Sequence, residues 1–529
     1  MPSTQTQNPV SQAKMLPPTV IPVKAGIQAC PGRNRWITLF AGMTQCTSDI
    51  RLIGAFRRAV VLGTLVALLA GCAVGPDYKR PKVFAPENYR FELNGAMEVA
   101  NTAWWEQFDD PVLNDLVHTA LQENKDVLIA SARIEEFVGR YVTARGDLFP
   151  NITGGFTAAR GREIGSLITT DSYQVFLSGS WEIDFWGRLR RLKEAARAEL
   201  LATEEARRAV ILTLVSSVVG TYVDLLTLDK QLAITVKTAE SRKGSLDLFQ
   251  LRFDYGIVSA EVLSMIDAEY RDALSRIPDV QRSIAQTENA LSILIGRNPG
   301  DIVRGRSLER LGRPEVPAGL PSEVLEKRPD VKQAEQNLVA ANARIGAAKA
   351  LYYPTISLTG LLGAASPELT KLFSAGTSFW SLAGPIAMPL LNFGRIKGLV
   401  KSTEAVQQQA LYAYQQVIQG AFRDVDDALV DHTKSQEQIQ ALSQQVDALK
   451  TYARLARMRY DEGYSSYIEV LDAERSLFNA ELAYTSVYGN IFRSLINIYK
   501  SMGGGWVALA EADAPTAPIC EPEEIVPLP

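Results

Sequence analysis

Side chains that commonly perform catalysis or bind transition metals are scarce in this chain of 529 residues. Nucleophile–base centres and metal sites rely mainly on histidine and cysteine. The sequence contains only two histidines and four cysteines, which are His118, His432, Cys30, Cys46, Cys72 and Cys520. No grouping of serine, histidine and aspartate recurs near a turn. We therefore expect a protein that is not an enzyme, with no catalytic residues, no bound metal and no cofactor.

One of these cysteines lies in a context that predicts covalent modification. Arg57 and Arg58 precede the apolar run 59–70, and together they match the n-region and h-region of a signal peptide. The run ends in a Leu-Ala-Gly-Cys motif at Cys72, which resembles a bacterial lipoprotein cleavage site; the alternative is a chance match. We expect residues 1–71 to be an N-terminal extension and lipoprotein signal peptide, and Cys72 to carry a covalent lipid.

Cleavage after residue 71 changes the electrostatics of the chain. It removes seven of 55 basic residues and one of 59 acidic residues, which leaves 48 and 58 and a net charge of −10. This charge excludes a nucleic-acid partner that depends on a basic surface. Only Cys72 and Cys520 survive, and the first is expected to carry lipid, so no internal disulfide is expected. No later run of about 20 apolar residues exists, which excludes a polytopic helical membrane protein.

The chain contains two similar halves that would position any functional residues. Leu148-Phe149-Pro150 recurs as Tyr352-Tyr353-Pro354 at an offset of 204 residues. Phe185-Trp186-Gly187-Arg188 recurs as Phe393-Gly394-Arg395, and Leu251–Gly256 recurs as Met458–Gly463, both at an offset of 207 residues. The landmarks keep their order, so they indicate a duplicated domain-sized unit rather than a solenoid repeat.

Each unit contains a pair of expected β-strands. Segments 151–159 and 173–185 form the first pair, and segments 355–363 and 379–391 form the second. The strand 173–185 alternates apolar with polar or small residues, and two prolines in 379–391 argue against a central soluble strand. Strands of this length and pattern suit a transmembrane β-barrel, although a half-buried soluble sheet remains the alternative on periodicity alone.

Very long helices follow the strands and favour the membrane-barrel interpretation. Segments 187–255 and 394–462 each run for 69 residues without proline, or about 100 Å as helix. Segments 259–296 and 466–502 supply return helices of about 55 Å, the first expected to kink at Pro278. Apolar residues recur at seven-residue steps in the long helices, which indicates a supercoiled seam. His432 occupies that seam, so a packed histidine is favoured over a ligand or pH switch.

Four strands cannot form a closed barrel, because the smallest membrane barrels have about eight. An open sheet edge cannot lie in lipid, so the chain is expected to oligomerise. Two copies supply eight strands, and side chains fill the interior of an eight-stranded barrel. Three copies supply twelve strands, which leave a passage. A conduit therefore needs three copies.

The chain resembles the TolC-type outer-membrane efflux channels, specifically the lipidated outer-membrane factors of RND-type pumps (NodT/OprM-like). The most specific matching segments are the Cys-Ala-Val-Gly-Pro-Asp-Tyr-Lys-Arg-Pro run from Cys72 and the Leu-Ile-Asn-Ile-Tyr-Lys-Ser-Met-Gly-Gly-Gly-Trp run ending at Trp506. Trp104, Trp105 and the Arg-Pro-Asp-Val run from Arg328 also fit. The resemblance covers residues 72 to about 506.

This resemblance implies an α+β, mainly α fold made of a duplicated helix–β-hairpin–long helix–helix unit. It implies a homotrimer with a twelve-stranded transmembrane β-barrel continued by a twelve-helix periplasmic α-barrel, located in the bacterial outer membrane. The expected organisation is a lipid-anchored segment (72–110), repeat 1 (111–297), an equatorial linker (298–321), repeat 2 (322–506) and a flexible acidic, Pro-rich tail (507–529). We expect the Gly503–Gly505 run to stop a helix, with no helix after it.

The resemblance also implies a periplasmic gate near the second helical turn. Glu469 and Asp472 are three residues apart and so share a helix face, and threefold symmetry would make them a ring of six carboxylates. By resemblance Asp472 takes the acidic constriction and Ile468 the apolar one. The alternative is a pair of solvated surface acids, unless neighbours such as Arg459 or Tyr460 bind them.

The two turns between long and return helices are the expected contact with a periplasmic adaptor (membrane fusion protein). Glycine permits the reversal, and the serine before each return helix can cap it. The residues are Gly256, Ile257, Val258 and Ser259 in the first turn, and Gly463, Tyr464, Ser465 and Ser466 in the second. The alternative is a pair of plain αα-hairpin loops.

These inferences predict the outer-membrane channel of a tripartite efflux system. It would be a passive exit duct for drugs or other small toxic compounds from an inner-membrane RND pump. Alternatives within the class are type I protein secretion and heavy-metal efflux; outside it stands a structural periplasmic lipoprotein. The sequence does not name the cargo.

Overall fold

A computed structural model describes residues 73–83, 86, 89–90, 102–162, 168–316, 321–503 and 505–515. The expected signal peptide and Cys72 lie outside the described residues. In chain order the elements are α1 (Pro111–Glu123), α2 (Lys125–Gly146), β1 (Asn151–Arg162), β2 (Thr169–Ile183), α3 (Arg188–Asp254), α4 (Ala260–Leu294), α5 (Pro321–Lys327), α6 (Pro329–Ala350), β3 (Thr355–Ser366), β4 (Ser378–Ala383), β5 (Ile386–Ala387), α7 (Arg395–Asp461), α8 (Tyr467–Ser501) and α9 (Trp506–Asp513).

The same succession of elements occurs twice, as the sequence predicts. The long helices α3 and α7 each have 67 residues, and the return helices α4 and α8 each have 35. Both long helices begin after a glycine in the left-handed region, Gly187 and Gly394. Pro278 lies inside α4, which continues through it. The fold is therefore α+β and mainly α, with α3 packed on α4, α6 and α8.

The strands differ from the prediction at their ends. β1 and β2 extend further into the connecting loop than expected, to Arg162 and from Thr169. The expected strand 379–391 ends at residue 387 and is divided into β4 and β5. The division falls at Pro385, which has no N–H to donate, while its carbonyl still accepts from the Ser357 N–H at 3.0 Å. Proline therefore interrupts the strand without changing its partner.

All strand pairs are antiparallel, in the order β1-β2-β3-β4 with β5 beside β3. Register places Leu177 opposite Gly154 and Leu362, so these three positions share one face. That face carries every large exposed apolar side chain of the strands, namely Ile152, Phe156, Leu177, Leu358, Leu362, Trp380, Leu382 and Ile386. Within the described residues, the outer edges of β1 and β4 have no strand beside them.

The opposite face is small and polar, with Thr, Ser, Gln and Glu residues at most positions. Phe176, which departs from the alternation, lies on this face opposite Gly155, and Phe379 lies opposite Gly363. A Cβ on either glycine would meet the ring of that phenylalanine at 2.5 or 2.8 Å. Each ring therefore covers the position where the glycine has no side chain, which explains the exception.

The largest core lies where helices of both repeats meet residues 103–108 and 506–514. Trp104 is fully buried, stacked on Tyr499 with ring centroids 5.1 Å apart and edge-on to Trp506 at 5.8 Å. Apolar residues of α3 complete this core, including Val218 and Tyr222. Among the described helices, α3 contains a stretch apolar enough to cross a membrane, and 61% of that stretch is buried. The expectation that no such run follows residue 71 is therefore wrong for α3, and the burial indicates that its hydropathy reflects core packing.

The expectation of a flexible tail from residue 507 is wrong for residues 507–515. Residues Trp506–Asp513 form a helix whose Val507 and Ala510 are buried, so a helix does follow the Gly503–Gly505 run. The glycine stop itself is present, since α8 ends at Ser501 and Gly503 has φ +66°. The physical reason is apolar burial against the Trp104 core. Residues 516–529 lie outside the described residues.

Polar contacts fasten this C-terminal segment to repeat 1. The Arg207 side chain, 4% exposed, donates to Glu511 at 2.6 Å, to the Pro515 carbonyl at 2.9 Å and to the Ser131 hydroxyl at 2.9 Å. Arg208 donates to the second Glu511 oxygen at 3.0 Å. A buried guanidinium needs such partners, because an unpaired one would be costly to desolvate. Helix α9 is therefore an integral part of the fold.

We expect a chain ending at Pro515 to be as heat-stable as the full chain, and a chain ending at Gly505 to be less stable. The shorter chain loses Trp506, whose removal alone costs about 3–5 kcal/mol, and leaves Arg207 without Glu511. Circular dichroism of detergent-solubilised protein on heating measures the difference. Equal midpoints for the two truncations would contradict this role of α9.

The expected seven-residue seam holds along much of both long helices but not at their ends. Ile211, Val218 and Leu225 are buried, whereas Phe253 at the end of α3 is exposed and Phe249 is buried instead. In α7 the equivalent positions Ile418, Val425 and His432 are buried. The buried position is therefore shifted by four residues, from 253 to 249. An α-helix with 3.6 residues per turn shows such a shift where its packing departs from a strict seven-residue repeat.

His432 is packed in this seam with a hydrogen-bond partner at each ring nitrogen. The Ser494 hydroxyl donates to the Ile491 carbonyl at 2.8 Å, so it accepts from His432 Nδ1–H at 2.9 Å. The Gln436 amide nitrogen lies 2.9 Å from Nε2 and donates to it. Burial lowers the pKa of His432; the Asp431 carboxylate opposes this shift, and Arg313 adds to it.

This burial predicts the sign of a pH effect on stability. The unfolded chain binds the proton at a higher pH than the folded chain does, so the His432 contribution is complete above about pH 6.5 and falls below it. His432→Leu, which installs the residue found at position 225, should flatten the loss of thermal stability between about pH 7.5 and 5.5. His118→Gln, on an exposed histidine, is the matched control. An unchanged dependence of thermal stability on pH in His432→Leu would contradict the assignment of this pH effect to His432.

Candidate functional site

The two turns that join long and return helices have the same backbone geometry. In the first, Gly256 N–H donates to the Phe253 carbonyl and Ile257 N–H to the Arg252 carbonyl, both at 2.8 Å. In the second, Gly463 N–H donates to Tyr460 at 2.9 Å and Tyr464 N–H to Arg459 at 2.8 Å. This pattern is the Schellman motif, which requires a left-handed residue, and the glycines have φ of +73° and +81°. Glycine is therefore needed at both turns.

Both turns expose large side chains. Tyr255 and Ile257 are 76% and 70% exposed, and Tyr464 is 75% exposed. Val258 is half-buried against the apolar cluster beneath the turn. Apolar and aromatic groups exposed at a helix tip favour contact with another protein.

The two capping serines differ. The Ser259 hydroxyl accepts from the Val262 N–H at 3.4 Å, as predicted. Ser466 occupies the N-cap position with extended backbone, but its side chain makes no capping bond, so the capping expectation is wrong there. The Glu469 N–H instead donates to the Ser466 carbonyl at 3.2 Å. The Ser465 hydroxyl is buried with no hydrogen-bond partner in the part of the chain described.

The three predicted gate residues lie on the first two turns of α8. Ile468 is 58% exposed and Asp472 is exposed, while Val470 and Leu471 between them and Tyr467 before them are buried. The exposed stripe therefore faces away from the packed side of α8. Glu469 lies at its border, half-buried. Positions 468 and 472 are one helical turn apart, so their side chains lie one above the other along the helix.

Both carboxylates have an arginine partner. Arg459 in α7 lies 3.5 Å from Glu469, and Arg475 lies 2.8 Å from Asp472 on the same helix. The predicted partner Arg459 is therefore found, whereas Tyr460 bonds elsewhere. Exposed pairs of this kind contribute about 0–1 kcal/mol. In the part of the chain described, no three His, Cys, Asp or Glu side chains are grouped to hold a metal ion.

A cluster of arginine and aromatic side chains holds the tips together, and sequence analysis missed it. The Arg252 guanidinium of α3 donates to the Tyr460 hydroxyl of α7 at 2.5 Å and lies 5.2 Å from the Phe249 ring centroid. Tyr467 of α8 lies 4.3 Å from Phe249 and 4.9 Å from Tyr460 between centroids. The signal available was the aromatic content of both helix ends. Arg252 is thus a polar link between the two repeats at this level.

Buried charges lie next to that cluster, further from the two turns. Arg242 is 4% exposed; it donates to the Glu269 carbonyl at 2.6 Å and lies 3.1 Å from the Glu269 carboxylate. Burial raises the pKa of Glu474 on α8, against the opposing effect of Arg457 and Arg242. Burying paired charges makes this level costly to rearrange. The weakly paired tip below it is easier to move.

A groove of about 900 Å³ runs along the other side of α8. Its floor includes Phe478, Tyr484 and Tyr488 of α8. Its walls come from α3 and α7, with charged residues of both signs such as Lys230, Lys237, Asp447 and Lys450. Helical periodicity places Tyr484 and Tyr488 on the side of α8 opposite Ile468 and Asp472, with Phe478 about a quarter of a turn away from that stripe. The groove and the acidic stripe are therefore on opposite sides of the helical layer.

Comparison with known proteins agrees with this arrangement. A family model described as outer membrane efflux protein matches residues 116–297 and 320–504. The cation efflux system protein CusC of Escherichia coli is 35% identical over 447 residues, covering 83% of this chain and 96% of its own. The probable efflux pump outer membrane protein TtgC of Pseudomonas putida is 33% identical, covering 84% and 95%.

A further relative and a solved structure extend the match. The probable outer membrane lipoprotein SilC of Salmonella typhimurium is 33% identical, covering 85% of this chain and all of its own. A crystal structure of CusC matches with a TM-score of 0.75 and 33% identity, over 82% of this chain and all of that one. The apolar sheet face, the paired long helices and these matches together show that the chain belongs to the outer membrane efflux protein family.

Proposed function

We propose that three copies of this outer-membrane efflux channel form a passive exit duct from the periplasm. The observation that carries the proposal is the sheet of β1, β2, β3 and the interrupted strand β4–β5, which has one apolar face and, among the described residues, no strand beside either edge. Hydrocarbon favours the apolar face but leaves the edges unsatisfied, so copies must pair edge to edge. Three copies give twelve strands, enough for an open lumen lined by the small polar face.

In this arrangement the acidic stripe of α8 lines the periplasmic mouth. Three copies bring together Ile468 as an apolar constriction and Glu469 and Asp472 as a carboxylate ring. The ring favours cations and repels itself, and Arg459 and Arg475 reduce that repulsion. The weak exposed pairs and the Arg252–Tyr460 link keep the mouth closed at low energetic cost, so contact with a partner can open it.

A periplasmic adaptor is the partner that fits the outer surface. The exposed side chains of Tyr255, Ile257 and Tyr464 at the turns would contact its tip. The groove on the outer side of α8, with aromatic floor and charged walls, suits a helical hairpin lying along it. An inner-membrane RND-type pump would then deliver cargo through the adaptor. Drugs or other small toxic compounds are the proposed cargo.

Metal cations are the second candidate cargo. The carboxylate ring attracts them, and the relative CusC is a cation efflux protein. Because no metal-binding group is present in the described part of the chain, cations would pass the ring without a dedicated binding site. Selection between cargoes then belongs to the pump.

The start of the described chain supports lipidation at Cys72. Val74 N–H donates to the Trp186 carbonyl at 3.0 Å, and Arg191, at the start of α3, binds Asp77 at 2.6 Å. These contacts hold residues 74–77 where the strands end and the helices begin, which is the membrane boundary. A lipid on the preceding Cys72 would therefore reach the inner leaflet directly.

We expect Cys72→Ala to lose the acyl chains while the protein still oligomerises. Mass spectrometry of the mature N-terminus and a metabolic fatty-acid label measure the modification. Cys520→Ser is the matched control and should keep the label. Retained label in Cys72→Ala would place the lipid elsewhere.

We expect the double variant Ile468→Ala/Asp472→Ala to raise single-channel conductance in planar bilayers by about twofold or more, since both changes widen the narrowest point. Arg252→Ala should also raise it, because it frees α7 from α3 without touching the lining. Asp279→Ala, an exposed carboxylate midway along α4, should leave conductance unchanged. A double variant that conducts like the wild type would remove these residues as the gate.

A further inference from the structure

The two hairpins of the sheet have the same register once the offsets of the duplication are applied. Gly155 of β1 lies opposite Phe176 of β2. Adding 204 to the first number and 207 to the second gives Thr359 and Ala383, which lie opposite each other in β3 and β4. The same holds for Asn151 with Ser180, which become Thr355 and Ala387. The duplication therefore preserves strand pairing residue by residue.

The contact between the repeats supplies a template for the contact between copies. Within the chain, β2 of repeat 1 pairs with β3 of repeat 2. The two open edges of the sheet are formed by β4 and β5 on one side and by β1 on the other. Since β1 and β3 correspond at 204, and β2 corresponds to β4 and β5 at 207, the β2–β3 register can be transferred to the open edges.

We propose that the β4–β5 edge of one copy pairs antiparallel with β1 of the next copy in this transferred register. This inference rests on the proposed oligomeric duct. Gly179 opposite Gly360 transfers to Ile386 opposite Phe156 of the next copy. Phe176 opposite Gly363 transfers to Ala383 opposite Ala159 of the next copy.

The faces agree with this pairing. Ile386 and Phe156 both belong to the apolar face and are 68% and 59% exposed in the single chain. Ala383 and Ala159 both belong to the small polar face and are exposed. A slip by one residue would place apolar side chains opposite polar ones across the new edge, so face matching excludes odd slips. The duplication selects the register among the even ones.

An aromatic contact follows from the same transfer. Trp186 at the end of repeat 1's hairpin stacks on Tyr353, with centroids 4.6 Å apart, and its indole N–H donates to the Pro354 carbonyl at 2.8 Å. The equivalent residues at the open edges are Phe393 and Phe149, which are 98% and 60% exposed. Phe393 would stack on Phe149 of the next copy, without the hydrogen bond because phenylalanine has no N–H.

The backbone at Phe393 supports this contact. Its φ is +47°, a conformation that a bulky residue adopts at a cost of order 1–2 kcal/mol. Trp186, its counterpart in repeat 1, has no positive φ. A strained backbone that aims an aromatic ring fully into solvent is unexplained in one chain and explained when a second copy covers the ring.

Disulfide formation between copies tests the register. In a Cys520→Ser background, we would combine Ala383→Cys with Ala159→Cys, and in a second protein Ile386→Cys with Phe156→Cys. Opposite pairs alternate between close and wide types along a ladder, and positions 383 and 386 are of different type, so one pair suits a disulfide. The slipped controls pair Ala383→Cys with Thr157→Cys and Ile386→Cys with Ala158→Cys.

Mild oxidation followed by non-reducing electrophoresis should give covalent trimers with at least one matched pair and with neither slipped pair. Oligomers that persist in native mass spectrometry but cross-link through the slipped pairs, or through none, would overturn the register and leave the duct intact. Absence of any oligomer would overturn the register and the proposed duct together.

The aromatic contact has its own readout. Phe149→Ala and Phe393→Ala should each lower the temperature at which the trimer dissociates, and the double variant should lose no more than the larger single loss. Phe373→Ala, on a residue 83% exposed in the loop at the other end of the strands, should have no effect. Additive losses, or none, would overturn the stack.

Discussion

Hydrocarbon supplies no hydrogen-bond partners, and this single constraint governs the architecture of the chain. A four-stranded sheet with an apolar face is stable in lipid only if the edges of β1 and β4 find partners. The apolar face can then be broad, because water need not wet it. The small polar face, covered at two glycines by Phe176 and Phe379, is left for a lumen. Copy number, lumen width and the number of helices below the membrane all follow from how those edges are satisfied.

The helices carry the duct away from the membrane, and their stability decreases along their length. Midway along the long helices, α3 packs into the core that includes Trp104 and Tyr499, and α7 packs into a second core. Lower down, buried charges such as Arg242 replace apolar seams. At the tip lie a smaller cluster of aliphatic and aromatic side chains and exposed ion pairs. The proposed opening of the mouth fits this gradient, since local opening draws on the least stable region.

Much of this fold could be predicted from the sequence, because the strongest signals were long and periodic. Two proline-free stretches of 69 residues gave helices of 67 residues, and the duplication offsets placed the turns at Gly256 and Gly463. Strand ends were less accurate, because backbone pairing extends β1 and β2 beyond the apolar pattern. The tail was misread because Trp506 and Val507 lie in a segment too short for periodicity, and burial against distant residues decides its structure.

The sequence predicted where the residues of the candidate site lie, but not which residues they contact. The sequence located Ile468, Glu469 and Asp472 on one helix, yet the Arg252–Tyr460 contact joins residues 208 apart, and only the packing of two repeats brings them together. Duplication explains why. The turns kept identical backbone bonds, which glycine alone can supply, whereas the side chains around them diverged. Leu225 and His432, or Trp186 and Phe393, hold equivalent positions in different chemical settings. Backbone geometry is thus shared by the repeats, whereas their side chains have diverged, and the residues proposed as the gate lie in repeat 2.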